Sequence, residues 1–259
     1  MRLAPFLLKA SLLFLALCLP ACGQYTNYGH SGVPSTVLVS AVNIQNSLTN
    51  WTSCGSTACA GGAGNSTSLT QTTGISSPSV SGASMSVAFT SPATGNNALF
   101  INKPVTTCDT CTWARYDIEA YLPTGVANYE YDSFIVTTTL DGMFGKQCNT
   151  VTGYWQYANQ TSGWTNSAIA CSLSTGAWHH LIFSDSWNPT DTSCGGKPAL
   201  QFGTITIDGV THSWGSPSIC ATAIPGGWTH TVGCQVQMDS SSAATLTEYI
   251  DNVNCSFGI

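Results

Sequence analysis

The sequence is short of charge, and above all of basic residues. It contains 6 lysines and arginines and 12 acidic residues among 259 positions, for a formal net charge of −6. Beyond the first 23 positions the basic residues are Lys103, Arg115, Lys146 and Lys197. So few cations cannot neutralise a phosphate backbone, and the composition therefore excludes nucleic acid as a partner. The abundance of serine, threonine, asparagine and glutamine instead favours a partner that is uncharged and rich in hydroxyl groups.

Helical patterns are also lacking. Apolar residues do not recur with a period near 3.6, whereas short runs typical of strands occur throughout, among them STVLVSAV, SMSVAFT, ALFINK, RYDIEAYL, YDSFIVTTTL, YWQYAN, WHHLIFS, GTITIDGV, TVGCQVQMD and TEYIDNVNCSF. Asp208-Gly209 between two such runs predicts a tight hairpin. Ten or more short strands without helices predict an all-β sandwich.

The first residues, MRLAPFLLKASLLFLALCLPACGQ, predict an export signal. Arg2 and Lys9 accompany an apolar run that is too short to span a membrane. Two interpretations of its end stay open: a lipobox that leaves a lipid-modified Cys22, or ordinary cleavage before Gln24. The predicted organisation is a signal at 1–23, a short tether at 24–34 and one domain at 35–259. The protein is thus expected to be exported, to the extracellular space, the periplasm or the outer membrane as a lipoprotein, and to contact membrane only through such an anchor.

Ten of the 12 cysteines lie beyond Cys22. An even number in an exported chain predicts a disulfide framework. Spacing alone does not fix the connectivity. Pairing of neighbours along the chain would give Cys54–Cys59, Cys108–Cys111, Cys148–Cys171, Cys194–Cys220 and Cys234–Cys255.

Three segments, GAWHHLIFS, GTITIDGVTHSW and TEYIDNVN, resemble the laminin-G-like and concanavalin A-like lectin–glucanase superfamily. The resemblance covers residues 178–254 most clearly, and it implies a jelly-roll β-sandwich of two antiparallel sheets. This fold hosts lectins, glycosidases, lyases and adhesion modules, so it does not by itself imply a function.

The same resemblance bears on catalysis. Glu130 and Asp132 form a Glu-x-Asp pair on one strand face, as a retaining glycosidase needs. The β-glucanase relatives carry a third carboxylate two residues further on, where this chain has Phe134. The motifs of the alginate-lyase relatives are missing as well. We therefore expect no catalytic residues; if the protein is an enzyme, Glu130 and Asp132 are the candidates.

Adjacent side chains on a strand point to opposite faces. His179 shares a face with Leu181 and Phe183 and is expected to pack against the core with its ring nitrogens hydrogen-bonded. His180 lies on the opposite face and is a candidate for ligand binding. A metal site is not expected from this pair.

The remaining candidates form a pattern suited to sugars. Gln147, Gln237 and Asp239 occupy alternate strand positions and could converge with Glu130 and Asp132 on one sheet face. Amides and carboxylates bind hydroxyl groups, while aromatic rings bind the apolar faces of a pyranose. The ring expected to stack on a sugar is that of Trp155.

The sequence thus predicts non-catalytic binding of a polysaccharide or other glycan through the concave sheet. Two alternatives remain: a glycoside hydrolase or polysaccharide lyase of the same fold, and a cell-surface adhesion module with a protein ligand. No cofactor is expected. Asp208, Asp239 and Asp251 offer oxygen ligands for a structural calcium ion, but no Asp-x-Asp loop supports one.

Overall fold

The computed structural model describes residues 36–56, 64–103, 108–137, 140–159, 163–188, 194–195, 198–215, 217–223 and 231–259. The strands, in chain order, are β1 Val37–Ala41, β2 Trp51–Cys54, β3 Thr67–Ile75, β4 Ser84–Ser91, β5 Asn97–Asn102, β6 Trp113–Tyr121, β7 Val126–Val136, β8 Leu140–Phe144, β9 Lys146–Asn149, β10 Tyr154–Asn159, β11 Gly163–Ala170, β12 Trp178–Asn188, β13 Ala199–Ile207, β14 Val210–Ser213, β15 Ser218–Cys220, β16 Thr222–Ala223, β17 Thr231–Ser240 and β18 Ala244–Gly258. A single 3-10 turn, Ile44–Asn46, is the only helical element within the described ranges.

The strands form two antiparallel sheets. Sheet A has the order β14-β13-β12-β6-β18-β4-β3, with β1 added to β18 and β15 to β13. Sheet B has the order β11-β10-β9-β7-β17-β5-β2, with β8 added to β7 and β16 to β8. The chain passes repeatedly from one sheet to the other, as from β4 to β5 and from β17 to β18. The predicted all-β jelly-roll sandwich is confirmed.

The core lies between the two sheets. Strand alternation directs Tyr131 and Trp155 of sheet B inward, where both rings contact Phe183 of sheet A, with centroids 5.9 and 5.7 Å apart. An ion pair is buried among these rings. It joins the Lys146 ammonium to the Asp185 carboxylate, and both side chains are almost completely inaccessible.

Four disulfides brace the sandwich: Cys108–Cys111, Cys148–Cys171, Cys194–Cys220 and Cys234–Cys255. These are four of the five pairs given by neighbour pairing; the fifth involves Cys59, which lies outside the described residues. Cys234–Cys255 joins β17 to β18 and therefore links the two sheets across the core. Such a framework suits an oxidising environment. None of the helices that the structure describes is long and apolar enough to cross a membrane.

The Asp208-Gly209 hairpin forms as its sequence predicts. Both residues have positive φ, 48° and 84°, which a two-residue turn of this kind requires. The predicted export signal, its Cys22 and the tether at 24–34 all lie outside the described residues.

Candidate functional site

Polar side chains, most of them buried, line the outer face of sheet B next to a small apolar cluster of Leu99, Ile101, Phe134 and Val136. Tyr129, Tyr131, Cys148, Trp155 and Cys234 point into the core, so the residues between them point outward. The strand register then aligns outward-facing amides and carboxylates across β17, β7, β9, β10 and β11. We call this surface the amide–carboxylate face; its members are Asn128, Glu130, Asp132, Gln147, Asn149, Gln156, Asn166, Gln235, Gln237 and Asp239.

The carboxylates lie on β7 and β17. Gln237 Nε2 donates to Glu130 Oε2 at 2.9 Å and to Asp239 Oδ1 at 3.3 Å. Asp132 accepts from Gln235 Nε2 at 2.5 Å and from the backbone N–H of Lys146 at 2.8 Å. Four of the residues predicted to converge, Glu130, Asp132, Gln237 and Asp239, are therefore held in one network.

The amides continue the network toward the sheet edge. Gln147 Nε2 donates to Gln156 Oε1 at 2.5 Å, and Gln156 Nε2 donates to Asn166 Oδ1 at 2.6 Å. Asn149 Nδ2 also donates to Gln156 Oε1, at 3.2 Å. Gln147, the fifth predicted residue of the cluster, thus connects the carboxylates on β7 to the amides of β10 and β11.

The carboxyl groups of Glu130 and Asp132 are both buried, and burial shifts both pKa values upward. Burial, together with the adjacent Asp132 carboxylate, raises the pKa of Glu130 well above its ordinary value. Burial also raises the pKa of Asp132, to about 6, while hydrogen bonds, among them the one from the Lys146 N–H, oppose the rise. Both groups are therefore harder to ionise than exposed carboxyl groups, because desolvation disfavours the charged form.

The exposed aromatic rings of this face are those of Trp164 and Tyr154, which are 38% and 44% exposed. Trp164 lies opposite Ala158 on β10. Its ring reaches over Gly145, where an added Cβ would lie 3.4 Å from the tryptophan and 3.8 Å from Asp132 Oδ1. Trp164 therefore places an accessible ring beside the carboxylates.

The prediction that Trp155 stacks on a sugar is wrong. Its side chain is 0% exposed and packs in the core against Phe183 and Trp214. Strand β10 alternates Trp155 inward and Gln156 outward, so the amide next to the tryptophan reaches the polar surface instead.

His180 lies on the wrong sheet to join the cluster. It is part of β12 and faces outward from sheet A, where its Nε2 is 2.8 Å from Asp117 Oδ1. The hydrogen bond to Asp117 raises the pKa of His180. The role of His180 as a ligand-binding residue stays a prediction, on a different sheet from the amide–carboxylate face. His179 packs inward as expected, with Nδ1 2.8 Å from Asp208 Oδ2.

The three aspartates considered for calcium do not converge. Asp208 accepts hydrogen bonds beside β12, Asp239 belongs to the amide–carboxylate face, and Asp251 accepts from the loop that contains Ser79 and Ser81. Across the described residues, His, Cys, Asp and Glu side chains form no group of three or more suited to a metal ion.

Several site residues were missed from the sequence. Gln235 has the same spacing to Gln237 as Gln237 has to Asp239, so the alternation in TVGCQVQMD could have identified it. Gln156 and Asn166 carry no such local signal. Their place in the site depends on the pairing of β9, β10 and β11, which the sequence does not reveal.

No protein-family model matches the sequence, and comparison with curated proteins also gives no match. Among solved structures, the chain is similar to a carbohydrate esterase from Shiga toxin-encoding bacteriophage phi24B, with 11% identity over 87% of this chain and 100% of that one, at a TM-score of 0.49. It is similar to an alginate lyase from Chlorella virus, with 7% identity, coverage of 86% and 100%, and a TM-score of 0.48. A Bacillus licheniformis beta-glucanase gives 14% identity, coverage of 85% and 98%, and a TM-score of 0.43. Function is therefore considered from the side chains of the site itself.

Proposed function

We propose that this protein binds a polysaccharide on the amide–carboxylate face without cleaving it. The observation that carries the proposal is the accessible Trp164 ring beside a hydrogen-bonded row of amides and carboxylates. Aromatic rings bind the apolar faces of sugars, and a few fixed polar groups orient the hydroxyls. In this proposal Trp164 stacks on one sugar ring, while Asp239, held by a hydrogen bond from Gln237, orients hydroxyl groups of another sugar further along the same sheet.

The Glu130–Asp132 pair supports binding over hydrolysis. The carboxyl groups of a retaining glycosidase stand about 5 Å apart so that a sugar can lie between them. Here both carboxyl side chains are buried, with Asp132 0% and Glu130 5% exposed, so a sugar has no access between them. Phe134, at the position of the third acid, is buried in a small apolar cluster with Leu99 and Ile101.

One observation favours the enzyme alternative, in which this fold carries a glycoside hydrolase or lyase. Burial and the neighbouring Asp132 carboxylate raise the pKa of Glu130, as a general acid requires. An adhesion module with a protein ligand is the third candidate function.

The protein is proposed to act as an exported or lipid-anchored molecule, in keeping with its disulfides.

A glycan array on the disulfide-intact protein, with new reducing ends and unsaturated products assayed in the same wells, separates these functions. We expect binding without product. Trp164→Ala should weaken binding by roughly tenfold, the contribution of one stacked ring. Its matched control is Trp178→Ala, which removes a partly exposed ring from the outer face of sheet A and should leave binding unchanged.

Glu130→Gln then distinguishes binding from catalysis. The new amide has the shape of the carboxyl group, and its carbonyl can still accept from Gln237, so binding should persist. Products formed by the unmodified protein and abolished in this variant would establish the enzyme instead. A complete lack of glycan binding would refute the proposal and direct attention to a protein ligand.

A further inference from the structure

The donors of the amide–carboxylate face are already engaged within it. The side-chain amides of Gln235 and Gln237 donate to carboxylates, and those of Gln147 and Gln156 donate to amide oxygens along the row. Asn128 Nδ2 donates to Asp239 Oδ2 at 2.8 Å. A ligand therefore meets a surface whose amide N–H groups are largely directed at its own oxygens.

Two acceptors on this face remain without a hydrogen-bond partner among the described residues. They are Gln147 Oε1 and Asn128 Oδ1. Gln147 is 2% exposed and lies in the row between Glu130 and Gln156. A buried acceptor without a partner is costly, so a group that donates a hydrogen bond to it is favoured.

The ionisable residues of the amide–carboxylate face are all acidic. Its members include ionisable carboxylates and no lysine or arginine. The Lys146 ammonium is directed into the core toward Asp185, and Arg115 pairs with Asp117 at 3.3 Å on sheet A. Lys103 is not a member of the face, because it follows Asn102, the last residue of β5.

We infer that the site discriminates glycans by charge: it binds those that donate hydrogen bonds, amino polysaccharides most tightly and neutral ones next, and it rejects polyuronates. This inference rests on the proposed function of the same face. A sugar hydroxyl or ammonium can donate to the partly exposed Asp239 carboxylate, and an ammonium also complements its charge. The two buried acceptors add to the excess of acceptors over donors on this face. A uronate carboxylate only accepts, and it would meet acceptors and charge of its own sign.

The test is calorimetric titration of the full chain with three oligosaccharides of equal length: chitosan, cellulose and alginate fragments. The pH is just below neutral, where many of the amino groups are protonated while Asp132, with a pKa of about 6, is still largely ionised. We expect chitosan fragments to bind most tightly and alginate fragments to bind at least about tenfold more weakly than the neutral sugar. Alginate binding equal to or tighter than that of the neutral fragment would overturn the inference while leaving the proposed function intact.

Asp239→Asn locates the effect. Removing this charge should weaken chitosan binding roughly fivefold, because a charge-assisted hydrogen bond becomes a neutral one. Cellulose-fragment binding should also weaken, but by a smaller factor, because the neutral sugar loses a charge-assisted hydrogen bond to Asp239 and no ion pair. Asp117→Asn, the matched loss of charge on sheet A, should change neither.

Equal effects of Asp239→Asn and Asp117→Asn would mean that net charge, and not this face, sets the preference, which would overturn the inference. If the array gives glycan binding but none of these three oligosaccharides binds, the proposed function survives and the inference fails. If no glycan binds in either experiment, both are refuted.

Discussion

Lys146 connects the candidate site to the core of the sandwich. Its backbone N–H holds Asp132 on the outer face, while its ammonium contacts Asp185 on the opposite sheet and lies 5.0 Å from the centre of the Phe183 ring. In the sequence, Lys146 is only one of the few lysines of a sparsely charged chain. Its burial could not be predicted, because the partner Asp185 is 39 positions away and meets it only across the sandwich.

Lys146→Met should destabilise the fold by about 3–5 kcal/mol, because Asp185 would remain buried without its counter-charge. Chemical denaturation measures this change. The double variant Lys146→Met with Asp185→Leu should recover most of the loss, since an apolar pair replaces the ion pair. A double variant no more stable than the single one would contradict this account of the pair.

At the scale of strands, alternation predicts which segments form strands but not which face of each is buried. Strands that bury one face, such as β4, β6, β12 and β18, were predicted. The polar edge strand β3 was not, because it buries little and shows no apolar alternation. The buried face of β10 is the reverse of the predicted one: Trp155, expected to stack on a sugar, packs in the core, and the exposed ring is that of Trp164 on β11. Only the register of β9, β10 and β11 shows the reverse.

The disulfide between β17 and β18 gives a prediction at this scale. Replacing both Cys234 and Cys255 by alanine should cost about 3 kcal/mol, from the entropy of the loop that the bond closes in the unfolded chain. The control is replacement of Cys108 and Cys111, whose sequence separation is 3 instead of 21. Thermal melts of the two variants should rank them in that order; the reverse order would contradict it.

For the whole molecule, the buried carboxyl groups predict how stability changes with pH. Burial raises the pKa of Asp132 and Asp141 to about 6 and that of Glu248 to about 8. The folded state then binds more protons than the unfolded state, so stability falls as pH rises from about 4 to 8. The raised pKa of His180 acts in the same direction. The lowered pKa of Asp251 opposes it below about pH 4, and the lowered pKa of Lys103 opposes it at alkaline pH.

Melting temperatures measured across pH should therefore be highest near pH 4–5, where these groups hold their protons. Glu248→Gln supplies the control, because it keeps an acceptor for the Tyr131 hydroxyl and removes the titration. Between about pH 5 and 8, the free energy of unfolding should fall by on the order of 2 kcal/mol less in this variant than in the unmodified protein. A tenfold change in proton affinity corresponds to about 1.4 kcal/mol. Parallel pH profiles for the two proteins would show that Glu248 does not contribute.

The most direct test of the central claim is an NMR titration of the isotope-labelled protein with a glycan that binds on the array. The side-chain amide signals of glutamine and asparagine and the indole signals of tryptophan report the site itself. We predict that the signals of Gln147, Gln156, Gln237 and Trp164 shift, while those of Trp178 and His180 do not. Shifts confined to Trp178, His180 and their neighbours on sheet A would contradict the assignment of the amide–carboxylate face as the glycan site.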